Sequence, residues 1–385
     1  MMATTPSEII DNGILPRLPA KSLSRFKCVS KKWLALISSP EFIHQHLTYA
    51  ANSTSNHLLI LTKSDHNLYL FNIDMPETPA FKLPSFGIDP LVVGSCNGLL
   101  CIQSYRPYCL VVLNPSTGSY KEIPTLLPPR RYSALNFGFG YDFRNDDYKV
   151  VRIVDRSPSM GFLSHRVDRI VHVYSLNSNS WEVIEWIPPQ DSMGGCQNGA
   201  LINNHLLHWK FWSLQEGKYR IRCFDLCEKQ WTNDVPLPDC MIMSSNSHSR
   251  LLDFGVLDGC LYLSDKNLEQ SVVDIWVMNE YGVKQSWVKL FKISDSSVFQ
   301  SLRVSPVAYR SLSHRVLLRM TVNKTEHKIL WYDIKGEEIA ESGEINGVVD
   351  CVWVDVCKGS LIYVPRGSQI GTTKQDEEKE AISAT

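Results

Sequence analysis

The chain lacks a long apolar run: nowhere in its 385 residues do about 18 consecutive apolar positions occur, the least a membrane-spanning helix needs. No membrane span is expected. It also lacks an excess of charge of either sign, with 39 basic against 40 acidic residues and a formal net charge of -1. A dedicated polyanion binder would be basic, so nucleic acid is set aside as a partner. The opening MMATTPSEIID has an early acid and no apolar stretch, so it does not read as a signal peptide. The 11 cysteines form no CxxC pair, and an odd count without a secretion signal favours reduced thiols in cytoplasm, nucleus or both.

Catalytic signatures are missing too. There is no GxSxG, no HExxH and no phosphate-binding loop, so no catalytic residue and no cofactor is expected. His205 and His208 lie near Cys223 and Cys227, but residues three apart on a strand point to opposite faces, and no metal site is expected there. GFGYD at 138–142 has no third glycine and no following helix, so its glycines read as a strand edge where backbones approach closely.

What is present divides into two parts. Residues 5–47 read as helical. Thr5, Pro6 and Glu8 suit an N-cap, a first helical position and a capping box, ahead of Ile9, Ile10, Ile14, Leu15 and Leu18. Gly13 and Pro16 break that helix, and Pro19 stops it. A second helix is expected from Ser22 to Ile37, with Leu23, Phe26, Val29, Trp33 and Ile37 on one stripe, and a third carries Phe42, Ile43 and Leu47. Arg25, Lys27, Lys31 and Lys32 then form the wet side of that helix rather than a phosphate patch. A bundle this short sits near the size limit of about 40 residues for an independent core. If Leu23, Phe26, Val29 and Trp33 faced water, each would leave roughly 1.5–3 kcal/mol of burial unused. The stripe must therefore pack on the rest of the chain or on another protein, and spacing alone leaves both open.

From about residue 56 the pattern becomes β. Short apolar runs alternate with turns rich in Asn, Asp and Gly. One grammar recurs at 91–127, 137–188, 198–238, 254–293 and 304–344, and its period of roughly 40 to 50 residues suits four-stranded propeller blades. The partial units 56–84 and 348–364 can pair to close the ring. The expected fold is thus α plus all-β: three N-terminal helices and a propeller of six blades, with seven as the alternative. NPSTG at 114–118 and NSNS at 177–180 read as hairpin turns. Trp181, Trp231, Trp276, Trp287 and Trp331 recur at blade positions and are assigned to packing. The expected boundaries are 1–48 for the helices, 49–55 for a linker, 56–365 for the β domain and 366–385 for a tail too polar to fold.

The segment TPSEIIDNGILPRLPAKSLSRFKCVSKKWLALISSPEFIHQHL closely resembles the F-box, the helical motif that docks substrate receptors onto the Skp1-type adaptor of cullin-RING ubiquitin ligases. Thr5 stands where the family usually has Leu, and Gly13 replaces a common Glu, which weakens the first helix by about 1 kcal/mol. GSCNGLLCI at 94–102, LNPSTGSYKEIP at 113–124 and FGFGYDFRNDDYKVVRIV at 137–154 resemble the kelch-like F-box-associated domain of plant F-box proteins, and within that group the defence-repressor type. The resemblance implies a non-catalytic substrate receptor of an SCF-type E3 ubiquitin ligase, with a Skp1-type adaptor, cullin and RING subunits and an unidentified target protein as partners. It implies adaptor contacts through Pro6, Ile9, Ile10, Ile14, Leu15, Leu18, Pro19, Leu23, Phe26, Val29, Trp33 and Ile37. Two alternatives stand beside it: a ligand-binding or enzymatic kelch-type propeller, and an F-box protein that acts without a cullin.

Overall fold

The computed structural model describes residues 9–52, 57–63, 67–72, 81–83, 90–105, 108–124, 126, 135–156, 168–185, 191–193, 198–213, 215–239, 250–310, 313–322, 327–341 and 351–364. The capping box at Thr5, Pro6 and Glu8, residues 53–55 of the linker and the tail at 366–385 lie outside them.

The N-terminal part opens with a wide helical turn, Ile9–Ile14, and a 3-10 turn, Leu15–Arg17. Three α-helices follow: α1 (Ala20–Phe26), α2 (Lys31–Ile37) and α3 (Pro40–Asn52). The single helix expected from Ser22 to Ile37 is therefore two. Ser30 is extended, with φ -156°, and its hydroxyl accepts from the Trp33 backbone N–H at 3.1 Å. A hydroxyl that satisfies an orphan N–H starts a helix, and this one starts α2. Ser39 caps α3 in the same way, accepting from Phe42 N at 3.2 Å. Because α3 continues to Asn52, the helical unit runs past the expected boundary at 48. No described helix is long and apolar enough to cross a membrane.

The β part begins at His57. Four sheets of four or five strands span 91–123, 135–185, 191–231 and 250–293, close to the repeats read from the sequence. The fifth sheet has eight strands. It joins the unit 303–341 to a closing unit in which Cys351–Lys358, the last strand, pairs antiparallel with His57–Lys63, the first. That pairing closes the ring as expected. Among the described residues the count is corrected from six or seven blades to five sheets, because His327 pairs with Cys351 and fuses the last two units into one sheet. A short fourth α-helix, α4 (Ser296–Phe299), precedes the strand Arg303–Arg310.

Side chains join the blades where the sequence predicted. A Cβ on Gly138 would stand 2.8 Å from Leu207 Cδ1, and one on Gly140 2.6 Å from Leu226 Cδ1, so both glycines admit the next blade. Trp181 Nε1 donates to the Pro124 carbonyl and Trp287 Nε1 to the Pro236 carbonyl, each at 2.7 Å. Each bond ties a blade's outer strand to the end of the preceding blade. Trp231 packs among Trp209, Phe211 and Phe224. Trp276 and Trp331 lie under the cations of Lys289 and Arg310.

The helices rest on this ring. Leu361, 1 % exposed, belongs to the same apolar cluster as Leu15, Ala20, Leu23, Ile37 and Phe42. The segment bearing it is fixed by Asn114, which is fully buried in the NPSTG turn. Asn114 Nδ2 donates to the carbonyls of Ser360 (3.0 Å) and Ile362 (2.7 Å), while its Oδ1 accepts from Ser116 N (2.8 Å). The stripe that spacing left without a partner is thus covered in part by Leu361, just beyond the strand Cys351–Lys358.

Candidate functional site

The twelve residues expected at an adaptor surface do not share one fate. Leu15, Leu23 and Ile37 are buried inside the bundle with Leu361, so they shape its core. Leu18, Phe26 and Trp33 are half-buried at the edge of that core, with the Phe26 and Trp33 rings 5.5 Å apart. Pro19 is exposed beside them. Ile9 and Ile10 are exposed, Ile14 is 48 % exposed and Val29 63 %. Pro6 lies outside the described residues. Leu34, also 48 % exposed, was absent from the expected set. The signal for it was Ser30: starting α2 there breaks the supposed single stripe, turning Val29 into the preceding turn and Leu34 outward.

Asp11 ties together two of the elements that bear these side chains. It accepts from Lys32 Nζ at 2.6 Å and from Trp33 Nε1 at 3.3 Å, which stitches the Ile9–Ile14 turn to α2. Gln45 Nε2 reaches the Asn12 carbonyl at 3.5 Å, and the Leu18 carbonyl meets His46 Nε2 at 3.1 Å, so α3 backs the same turn. The result is a surface with Ile9, Ile10 and Ile14 on one element and Leu34 on its stitched neighbour. Arg25 and Lys31 are exposed around it, and Lys32 is held by Asp11. Such a surface offers apolar area to another protein.

The polar clusters of the ring have structural partners. His208 has its Nδ1 3.0 Å from the Ala200 carbonyl and its Nε2 2.6 Å from the Tyr281 hydroxyl. A carbonyl only accepts, so Nδ1 carries the proton and Nε2 accepts from Tyr281. Both ring nitrogens are engaged within the chain, and among the described residues no group of three or more His, Cys, Asp or Glu could hold a metal ion. In GFGYD, Asp142 is buried against Lys149. Burial would raise its pKa, but hydrogen bonds from Asn145 and Lys149 outweigh that and hold the carboxyl well below its usual range.

His208 makes stability depend on pH. Burial lowers its pKa from 6.5 to about 4, and burial also lowers those of His46 and His172. The unfolded chain takes up the proton near 6.5, whereas the folded chain resists it until about 4. Stability from this group is full above 6.5, falls as the pH drops through that window, and loses roughly 3 kcal/mol by linkage. Denaturation midpoints at pH 7 and pH 4.5 should show the loss, and His208→Gln should reduce it, leaving the smaller part due to His46 and His172. An equal slope in that variant would contradict the assignment.

Comparison with known proteins agrees with this geometry. The family model described as F-box domain matches residues 14–45, and the one described as F-box associated beta propeller domain matches 54–370. Over 408 aligned residues the chain is 32% identical to F-box protein CPR1 of Arabidopsis thaliana, covering 100% of this chain and 95% of that protein. F-box/WD-40 repeat-containing protein 1 of the same plant is 26% identical, with 88% of this chain and 83% of that one covered. Among solved structures, TolB from Acinetobacter baumannii is similar at a TM-score of 0.42 and 11% identity, over 83% of this chain and 73% of that one, a likeness too loose to support a functional assignment.

Proposed function

The chain belongs to the F-box proteins that carry an F-box-associated β-propeller domain, and from that premise we propose that it is the substrate receptor of an SCF-type E3 ubiquitin ligase. The observation that carries the proposal is the exposed apolar set Ile9, Ile10, Ile14 and Leu34 on two stitched elements. Each is about half exposed, so a docked partner would recover roughly 1 kcal/mol from each. The partner proposed is a Skp1-type adaptor, which brings cullin and RING subunits with it.

The chain's contribution is then proximity. The F-box end holds the adaptor, the ring holds a target protein, and the ligase's other subunits transfer ubiquitin to a target kept at high effective concentration. Degradation of that target by the proteasome, in the cytoplasm or nucleus, completes the proposal, and its similarity to CPR1 makes regulation of plant defence the first process to examine. Reconstitution tests it. Full-length protein mixed with a Skp1-type adaptor, cullin and RING subunits should elute as one complex. Elution apart from the adaptor would refute the reading, and a complex with adaptor but without cullin would favour an F-box protein acting outside the ligase.

A further inference from the structure

We propose that the end of the propeller completes the core of the F-box, so that closing the ring firms the adaptor surface; this rests on the receptor reading above. The helices at 15–42 are made first, yet the cluster they enclose includes Leu361, which follows the last strand of the ring. That strand, Cys351–Lys358, lies in place by pairing with His57–Lys63, so the same residues that close the ring also deliver Leu361.

The segment after it is held from both sides. On the ring side, Asn114 binds the carbonyls of Ser360 and Ile362, Ser116 Oγ accepts from Ser360 N at 3.3 Å, and Ser119 Oγ accepts from Val364 N at 3.1 Å. On the helical side, a Cβ on Gly359 would stand 3.6 Å from Ala20 Cβ at the start of α1. Leu361 projects from this strap into the cluster, where Leu18, Phe26, Trp33 and Leu36 pack around the buried members. Phe26 and Trp33 border the exposed surface, and Trp33 also bonds Asp11, which positions the turn bearing Ile9, Ile10 and Ile14. Leu361 is therefore linked to the adaptor surface through the cluster that also packs Phe26 and Trp33. Leu361 is a positioning residue, and a chain whose ring is unfinished would present a loosened F-box. Adaptor recruitment would then favour receptors able to hold a target.

The test uses full-length protein with Leu361→Asp, Leu361→Ala or Leu361→Met. Hydrogen exchange is read in peptides from 15–37 and, as an internal reference, from 250–293, and affinity for a Skp1-type adaptor is measured in parallel. Leu361→Asp should speed exchange in 15–37 by about tenfold or more, leave 250–293 protected and weaken adaptor binding by about tenfold, because local opening free energies differ between parts of one fold. Leu361→Met should restore both. Wild-type protection of 15–37 in Leu361→Asp would overturn the proposal. Should Leu361→Asp also open the ring, Leu361→Ala decides: faster exchange confined to the helices supports it, and equal rises in helices and ring overturn it. Failure of the wild type to bind the adaptor would sink the receptor reading, while the exchange comparison would still decide the role of Leu361.

Discussion

Gly98→Val should be the most damaging single change in the ring. Asn97 and Gly98 have φ of 50° and 77°, the left-handed pair of a tight hairpin. A side chain on Gly98 would collide with Ser360 and come 2.6 Å from the Lys358 carbonyl oxygen. The backbone conformation costs a β-branched residue about 1–3 kcal/mol, and forcing atoms into a filled site adds about 1–3 kcal/mol. Gly118→Ala is the control: its φ is also positive, at 73°, but nothing lies within 4 Å of its Cβ position, so only the backbone part applies. Denaturation midpoints for both variants check this. Equal losses would mean that contact with the 358–360 segment contributes little.

Ile14→Glu combined with Leu34→Glu should abolish adaptor binding with little effect on the fold. Both side chains are already half in water, so the unfolding free energy should stay within about 0.5 kcal/mol of wild type, as is usual for surface positions. At an interface core, loss of a hot-spot side chain costs about 2 kcal/mol or more, roughly 30-fold in affinity for each. Calorimetric titration with a Skp1-type adaptor would measure it. Phe26→Ala with Trp33→Ala should also weaken binding, but it is a blunter probe, since both rings pack on the bundle's own core and Trp33 bonds Asp11. Unchanged affinity in the Ile14, Leu34 double variant would place the adaptor elsewhere.

Much of the ring was legible because its signals are local. Strand periods, the NPSTG turn at 114–118 and the glycines of GFGYD act within a few residues of themselves, and the structure uses them as read. The blade count was not legible, because it turns on one pairing, His327 with Cys351, that no repeat announces. In the helices, spacing suggested a continuous stripe through Val29, and the cap at Ser30 overrides it. The resemblance implied adaptor contacts at Leu15, Leu23 and Ile37, and the free chain buries all three in its own bundle, because apolar spacing marks a buried face without saying whose core buries it. Leu361 supplies the missing neighbour from the far end of the chain, and no pattern near residue 20 could have named it.

The central claim is that the Ile9–Ile14 turn and α2 form the docking surface for the adaptor. Hydrogen exchange of the full-length protein with and without a Skp1-type adaptor tests it most directly. The account predicts new protection in peptides covering 9–14 and 31–37, with the ring's exchange unchanged. Protection confined to the ring, with 9–14 and 31–37 exchanging as in the free protein, would contradict it.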